Sequence, residues 1–162
     1  MLVAHAAAEG DLSPAARARA AELGRALPRP RAAFTSPAPA ARRTADALGL
    51  SATVADALAD RDPTREDVDA LAGRVAGWLA AHEHQEGTHA AVTHVAVVRA
   101  AVLVALRAPA DAYEAIGVAP CSITELGFRE GRWHLARLSW EPSLQHIPQR
   151  RGRRRAFPSR RS

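Results

Sequence analysis

A chain of 162 residues, 48% hydrophobic and 24% charged, can bury one core and is not composed like a fibrous or wholly disordered protein. One cysteine, Cys121, excludes an internal disulfide, and the most apolar stretch, Val95–Leu106, falls short of the ~20 residues a bilayer-spanning helix needs. The net charge of +5 is uneven: seven of the 22 basic residues, all arginine, lie from Arg150 onward with no acid, so the remainder is mildly acidic, with 15 basic against 17 acidic residues.

Met1–Ala4 is a short apolar run that reads as a buried strand, and it ends on His5. Ser13-Pro14 places a capping side chain before a proline at the first helical position, which predicts a helix over about 14–27, stopped by Pro28 and Pro30. Arg31–Thr35 is a strand candidate. Ser36-Pro37 repeats the capping pattern and predicts a helix over 37–48, ended by Gly49. Ala52–Val54 is a weaker strand, and Asp62-Pro63 announces a helix over 64–82. Thr88–Thr93 is a second apolar strand ending on a histidine, His94. An apolar helix, Val95–Arg107, follows and ends before Pro109, with a short helix around Asp111–Ile116. Ser122–Phe128 and Arg132–Leu138 read as a hairpin across the turn Arg129-Glu130-Gly131.

Strands alternating with helices predict an α/β fold: a three-layer α/β/α sandwich, its central sheet mostly parallel, with a C-terminal antiparallel hairpin. Residues 1–148 form the expected domain, and 149–162 form an arginine-rich tail expected to be disordered.

In such sheets ligands bind beyond the carboxyl ends of the strands. Three strand ends are predicted to converge there, bringing His5, Thr35-Ser36 and His94 to one crevice. The helix start after Ser36 offers free N–H groups suited to an anion. Histidine titrates nearest neutral pH and serves as acid, base or nucleophile. His82, His84 and His89 read as the solvated end of a helix rather than a metal cluster, and Cys121 reads as packing. No cofactor and no metal are expected.

The order strand-His5, Leu12-Ser13-Pro14, Thr35-Ser36-Pro37, Thr44-Ala45, Val92-Thr93-His94 and Val97-Val98-Arg99 resembles the histidine phosphatase (phosphoglycerate-mutase-like) superfamily. Ser122-Ile123-Thr124-Glu125-Leu126 and Gly131-Arg132-Trp133 resemble its closing hairpin. The resemblance implies that His5 attacks phosphorus and carries a phosphohistidine, and that His94 cradles the phosphoryl oxygens. It also implies an acid that protonates the leaving group, for which Asp60 in Leu58-Ala59-Asp60-Arg61 is the nearest match.

Where the family has two phosphate-clamping arginines, the chain reads Ala4-His5-Ala6 and Ser36-Pro37-Ala38-Pro39-Ala40-Ala41. A charge-assisted hydrogen bond contributes about 1.5–3 kcal/mol. Two lost clamps would therefore slow phosphoryl transfer by a thousandfold or more, on the order of 5 kcal/mol. Arg42, Arg43 and Arg99 are candidate substitutes, and helical spacing selects Arg43.

The expected function is a small-molecule phosphoryl-transfer or phosphomonoester-hydrolysing enzyme, weakened or repurposed. The expected catalytic residues are His5, His94 and Asp60, with Ser36, Thr35 and Arg43 binding substrate. Two alternatives stand beside it: a His5/His94 acid–base enzyme acting on a non-phosphorylated molecule, and a catalytically dead binding or scaffold domain. The expected partner is a small molecule in the crevice, with weak nucleic-acid or anionic-surface contact through the tail. No membrane span or signal peptide is expected, which points to the cytoplasm.

Overall fold

The computed structural model describes residues 1–4 and 12–142, so His5 and the arginine-rich tail lie outside the described residues. In chain order the elements are β1 (Leu2–Ala4), α1 (Pro14–Ala26), β2 (Ala32–Thr35), α2 (Pro39–Ala47) and β3 (Ala52–Val54). They continue with α3 (Val68–Ala80), β4 (His89–Thr93), α4 (Val95–Leu106), β5 (Ile123–Arg129) and β6 (Arg132–Trp140). One turn of 3-10 helix lies at Asp56–Leu58 and a six-residue 3-10 helix at Ala110–Ala115.

The sheet order is β3-β2-β4-β1-β5-β6. β1, β2, β3 and β4 pair in parallel, whereas β5 runs antiparallel to β1 and forms the hairpin with β6. Both faces of the sheet are covered, and strand alternation divides the core accordingly. Leu2, Ala4 and Ala91 pack with Leu71 and Val75 of α3 and with α4. Val3, Val92 and Ile123 pack with Ala20 and Leu23 of α1 and Ala41 and Ala45 of α2. α4 is apolar around most of its circumference, with seven of its residues buried, as expected of a helix in the middle of a layer. The three-layer α/β sandwich is the one read from the sequence.

Two helix starts differ from that reading. α2 begins at Pro39 rather than at residue 37. A residue before proline is sterically excluded from the helical region, and Ala38 is accordingly extended (φ −61°, ψ 135°). α3 begins at Val68, capped by Asp67, whose side chain accepts from the Ala70 N–H at 2.8 Å. Asp62 does cap, but only a local turn, accepting from the Thr64 N–H and hydroxyl at 2.9 and 2.6 Å. The Glu66 carbonyl is meanwhile taken by Arg61 Nε at 3.0 Å. Ser13 caps α1 as expected, accepting from Ala16 N–H at 3.1 Å.

The polar-end reading of the histidines holds for His84 alone, which is exposed. His82 is half-buried, its ring 4.4 Å from Trp78 and 4.8 Å from Phe34, with His89 at 6.1 Å. Phe34 of β2 and Trp78 of α3 cover the His82 ring, so ring contacts replace part of its solvation. Cys121 is free and buried, and burial pushes its thiol up from the ordinary value. No described helix is long and apolar enough to cross a membrane.

Candidate active site

The carboxyl ends of β1, β2 and β4 meet because of the sheet register. Ala4, the residue before His5, pairs with Thr93, the residue before His94. Thr35, at the end of β2, pairs with Val92, and the Ser36 N–H donates to the Val92 carbonyl at 2.9 Å. Ser36 and His94 thus leave the sheet from adjacent strands.

Their side chains touch. Ser36 Oγ lies 2.8 Å from His94 Nε2, and Asp60 Oδ2 lies 3.2 Å from His94 Nδ1. A carboxylate oxygen only accepts, so its position favours the proton on Nδ1; Nε2 of the neutral ring then accepts from the Ser36 hydroxyl. Ser36 Oγ in turn accepts from the Ala38 N–H at 3.2 Å. Ser36 is fully buried and His94 is 7% exposed. The Asp60 side chain, by contrast, is 59% exposed. The arrangement is a hydrogen-bonded serine, an imidazole and a solvent-facing carboxylate in one line.

Asp60 is delivered by the loop between β3 and α3, which is pinned from several sides. Thr93 Oγ1 donates to the Leu58 carbonyl at 2.7 Å, tying the loop to the end of β4. Arg74 of α3 holds Glu66 bidentately, at 2.8 and 2.7 Å. Its Nη1 also donates to the Ala57 and Ala59 carbonyls at 2.8 and 3.0 Å. That pairing holds the Glu66 carboxyl below its ordinary range, the Arg74 hydrogen bonds being the main cause.

An open cleft of about 380 Å³ lies outside His94 and Asp60, walled by Arg61, Arg99, Tyr113 and Glu114. The guanidinium carbons of Arg61 and Arg99 sit 5.7 and 5.5 Å from the centre of the buried Tyr113 ring. Burial raises the Tyr113 hydroxyl, opposed by the hydrogen bond and charge of Arg61. Among the described residues, no group of three or more His, Cys, Asp or Glu side chains could hold a metal ion.

His94, Asp60 and Ser36 come together, while His5 lies outside the described residues. Thr35 is buried and its hydroxyl donates to the Ser36 carbonyl at 3.2 Å. Arg43 stands half-buried on α2 and is not part of the wall of this cleft. The sequence reading passed over Arg61, Tyr113, Glu66 and Arg74. Arg61 had a local signal, its position next to Asp60. Tyr113 and Arg74 had none, since their contacts span from eight to 52 residues of chain with no periodic pattern.

The solved structures similar to this chain share its fold. One is phosphoserine phosphatase from Entamoeba histolytica in complex with 3-phosphoglyceric acid: 15% identity, 87% of this chain and 96% of that one covered, TM-score 0.79. Another is the mycobacterial glucosyl-3-phosphoglycerate phosphatase: 17% identity, 85% and 96% covered, TM-score 0.70. A search of curated proteins finds no sequence match. The sequence model of the histidine phosphatase superfamily (branch 1) matches residues 50–141, more than half of the chain. With its sheet order and with His94 at the end of β4, the chain belongs to the histidine phosphatase superfamily.

Proposed function

We propose that the protein hydrolyses phosphomonoesters, or transfers their phosphoryl group, through a phosphohistidine on His5. The observation that carries this reading is the meeting of His94 and Asp60 at the carboxyl end of β4, with Ala4 paired to Thr93 beside them. A nitrogen of His5 attacks phosphorus as the bond to the leaving oxygen breaks. The Asp60 carboxylate takes up the proton carried by the substrate's phosphate monoanion and passes it to that oxygen. Water then gives a proton to the Asp60 carboxylate and attacks the phosphohistidine, releasing phosphate and restoring His5. His94, held by Ser36, turns its Nδ1–H to a phosphoryl oxygen once Asp60 serves the leaving oxygen. The similarity to chains named as phosphatases supports the same reaction class.

Ala4 is buried in the apolar core and Ala40 is half-buried on α2, so neither position supplies charge. This favours slow turnover and keeps a second reading open: His5 and His94 as acid and base toward a non-phosphorylated molecule.

The test is phosphoenzyme trapping after mixing with a labelled aryl phosphate, alongside steady-state hydrolysis. The expected result is an acid-labile, base-stable phosphoprotein, absent in His5→Ala. Turnover should fall at least a hundredfold in that variant and in His94→Ala. No labelling, together with no change of the His94 ring protons in millimolar phosphate or vanadate, overturns phosphoryl chemistry and favours the second reading.

A further inference from the structure

We infer that the cavity at the amino ends of β1 and β4, at the opposite end of the sheet from His94, binds a flat, neutral heteroaromatic ring bearing N–H donors, of the aminopurine or aminopyrimidine type. The inference stands apart from the phosphatase reading and uses no residue of that site.

The sheet topology makes the cavity. β1 pairs with β5 only at Val3–Ile123 and Leu2–Thr124, whereas β5 runs on to Arg129 with β6 beside it. The hairpin therefore overhangs the start of β1, and Leu126, Phe128 and Trp133 of that overhang line the cavity. Trp78 of α3, His82 just beyond that helix and His89 at the start of β4 complete the lining that matters here. The space is about 340 Å³, the size of a small-ligand pocket. β4 separates it from the catalytic crevice: His89 begins the strand and His94 follows it, about 16 Å away at ~3.3 Å per residue.

Three observations set the chemistry of the ligand. First, aromatic side chains gather here. The chain has three tryptophans, three phenylalanines and one tyrosine, and Trp78, Trp133 and Phe128 line this one cavity. The rings form two groups, Trp78 with His82 at 4.4 Å and Phe128 with Trp133 at 5.3 Å, which suits a flat ring. Second, the imidazoles offer acceptors. His82 Nδ1 lies 2.7 Å from the Trp78 carbonyl, which only accepts, so Nδ1 carries the proton. Nε2 of the neutral ring is then an acceptor, with no hydrogen-bond partner among the described residues. The His89 ring is likewise hydrogen-bonded to the Glu86 backbone, which leaves its other nitrogen to accept. Third, the surrounding charge favours a neutral ligand. Burial first, then the charge of a protonated His82, the Met1 amino group and Arg31, disfavour a protonated His89. Glu83, which also lines the cavity, opposes them but lies 3.5 Å from His84. A cation would meet the positive surroundings that His89 meets on protonation; a neutral ring escapes them.

The test follows the indole N–H signals by NMR as adenine is added to the full chain, with calorimetry for affinity. Purine, which lacks the exocyclic amino group, is the comparison ligand. Trp140 packs in the other core layer, with α1 and α2, and serves as internal control. Adenine is expected to bind saturably with a Kd of roughly 1 mM or tighter, as ten well-contacted atoms allow. The Trp78 and Trp133 signals move and Trp140 stays in place. Purine is expected to bind at least threefold more weakly, the worth of one hydrogen bond, and the difference vanishes in His82→Phe. No signal change at ten times that concentration overturns the inference. Saturation that moves the His94 ring instead of Trp78 and Trp133 puts adenine in the other crevice and also overturns it. Equal binding of adenine and purine by the unaltered chain overturns the ligand class. Should His82→Phe fail to fold, that comparison on the unaltered chain decides.

Discussion

His94 is held at both ring nitrogens by residues 58 and 34 positions away in the chain, Ser36 at 2.8 Å and Asp60 at 3.2 Å. Such a ring has one favoured tautomer and little freedom to turn, which is what an acid–base or phosphoryl-cradling role requires. Ser36, expected as a helix cap and substrate contact, is buried, accepts from the Ala38 N–H before α2 and touches this imidazole. Replacing it with alanine removes a fully buried hydroxyl that serves both His94 and the Ala38 N–H. Ser36→Ala is expected to lower stability by about 1–3 kcal/mol, read from the urea midpoint at unchanged slope. An unchanged midpoint would mean that the hydroxyl contributes nothing to holding the ring. Helical spacing favoured Arg43 as the replacement cation because it could be counted along the chain. Arg99 was also among the candidates, but that it shares one cleft wall with Arg61 required knowing how the loop after β3 packs against α4.

At the scale of elements, the helices on each face are placed by a few close approaches. Gly24 of α1 crosses the end of α2, where an added Cβ would stand 2.1 Å from the Leu48 carbonyl oxygen. Backbone cannot move aside as a flexible side-chain tip can, so the two helices would have to separate. Gly24→Ala is expected to cost about 2–3 kcal/mol, the upper range for overpacking, and to lower the melting temperature by several degrees. Helix propensity alone would predict the opposite sign, since alanine is the better helix former by about 1 kcal/mol. A stabilised variant would therefore refute the packing account. The hairpin is placed by local chemistry: Glu130 and Gly131 both have positive φ, 52° and 72°, as a two-residue turn between twisted strands demands. That turn was legible because its signal lies in adjacent residues. The starts of α2 and α3 were misread because two capping signals compete within a few residues. The outcome turned on proline sterics in one case and, in the other, on the Asp67 cap and the local Arg61 hydrogen bond to the Glu66 carbonyl.

The whole molecule couples stability to pH through groups whose surroundings disfavour protonation. His89 is lowered by burial first and by the charge of His82 second. Glu66 is lowered from its ordinary value of 4.5 chiefly by the Arg74 hydrogen bonds. In both cases the unfolded chain takes up the proton first, so stability rises with pH through the affected window. The His89 contribution is complete above its ordinary value of 6.5 and is lost as pH falls through the lower folded value. The Glu66 contribution is complete above 4.5 and is lost below that as pH approaches the folded value. The urea midpoint is therefore expected to decline in two stages on acidification. His89→Asn should remove the upper stage. Glu66→Gln should flatten the lower one while costing about 1–2 kcal/mol at neutral pH. A single stage unaffected by either variant would contradict this assignment. The lower stage bears on the site, because the Glu66–Arg74 pair also pins the loop that presents Asp60.

The α/β class, the parallel strands, the closing hairpin and the placement of His94 at a strand end were all legible in the chain. Each follows from periodicity, turn chemistry or a strand terminus, which are properties of neighbouring residues. The family was legible in the order of its motifs, and the match over residues 50–141 agrees. The Ser36–His94–Asp60 line, the Arg74 clamp and the two arginines around Tyr113 were decided by the tertiary structure. Their partners lie on different strands, loops and helices, and hydrogen bonds and charge pairs between distant residues leave no period to read. A strand end tells where a side chain leaves the sheet, but only the packing of the neighbouring loops decides what it meets there.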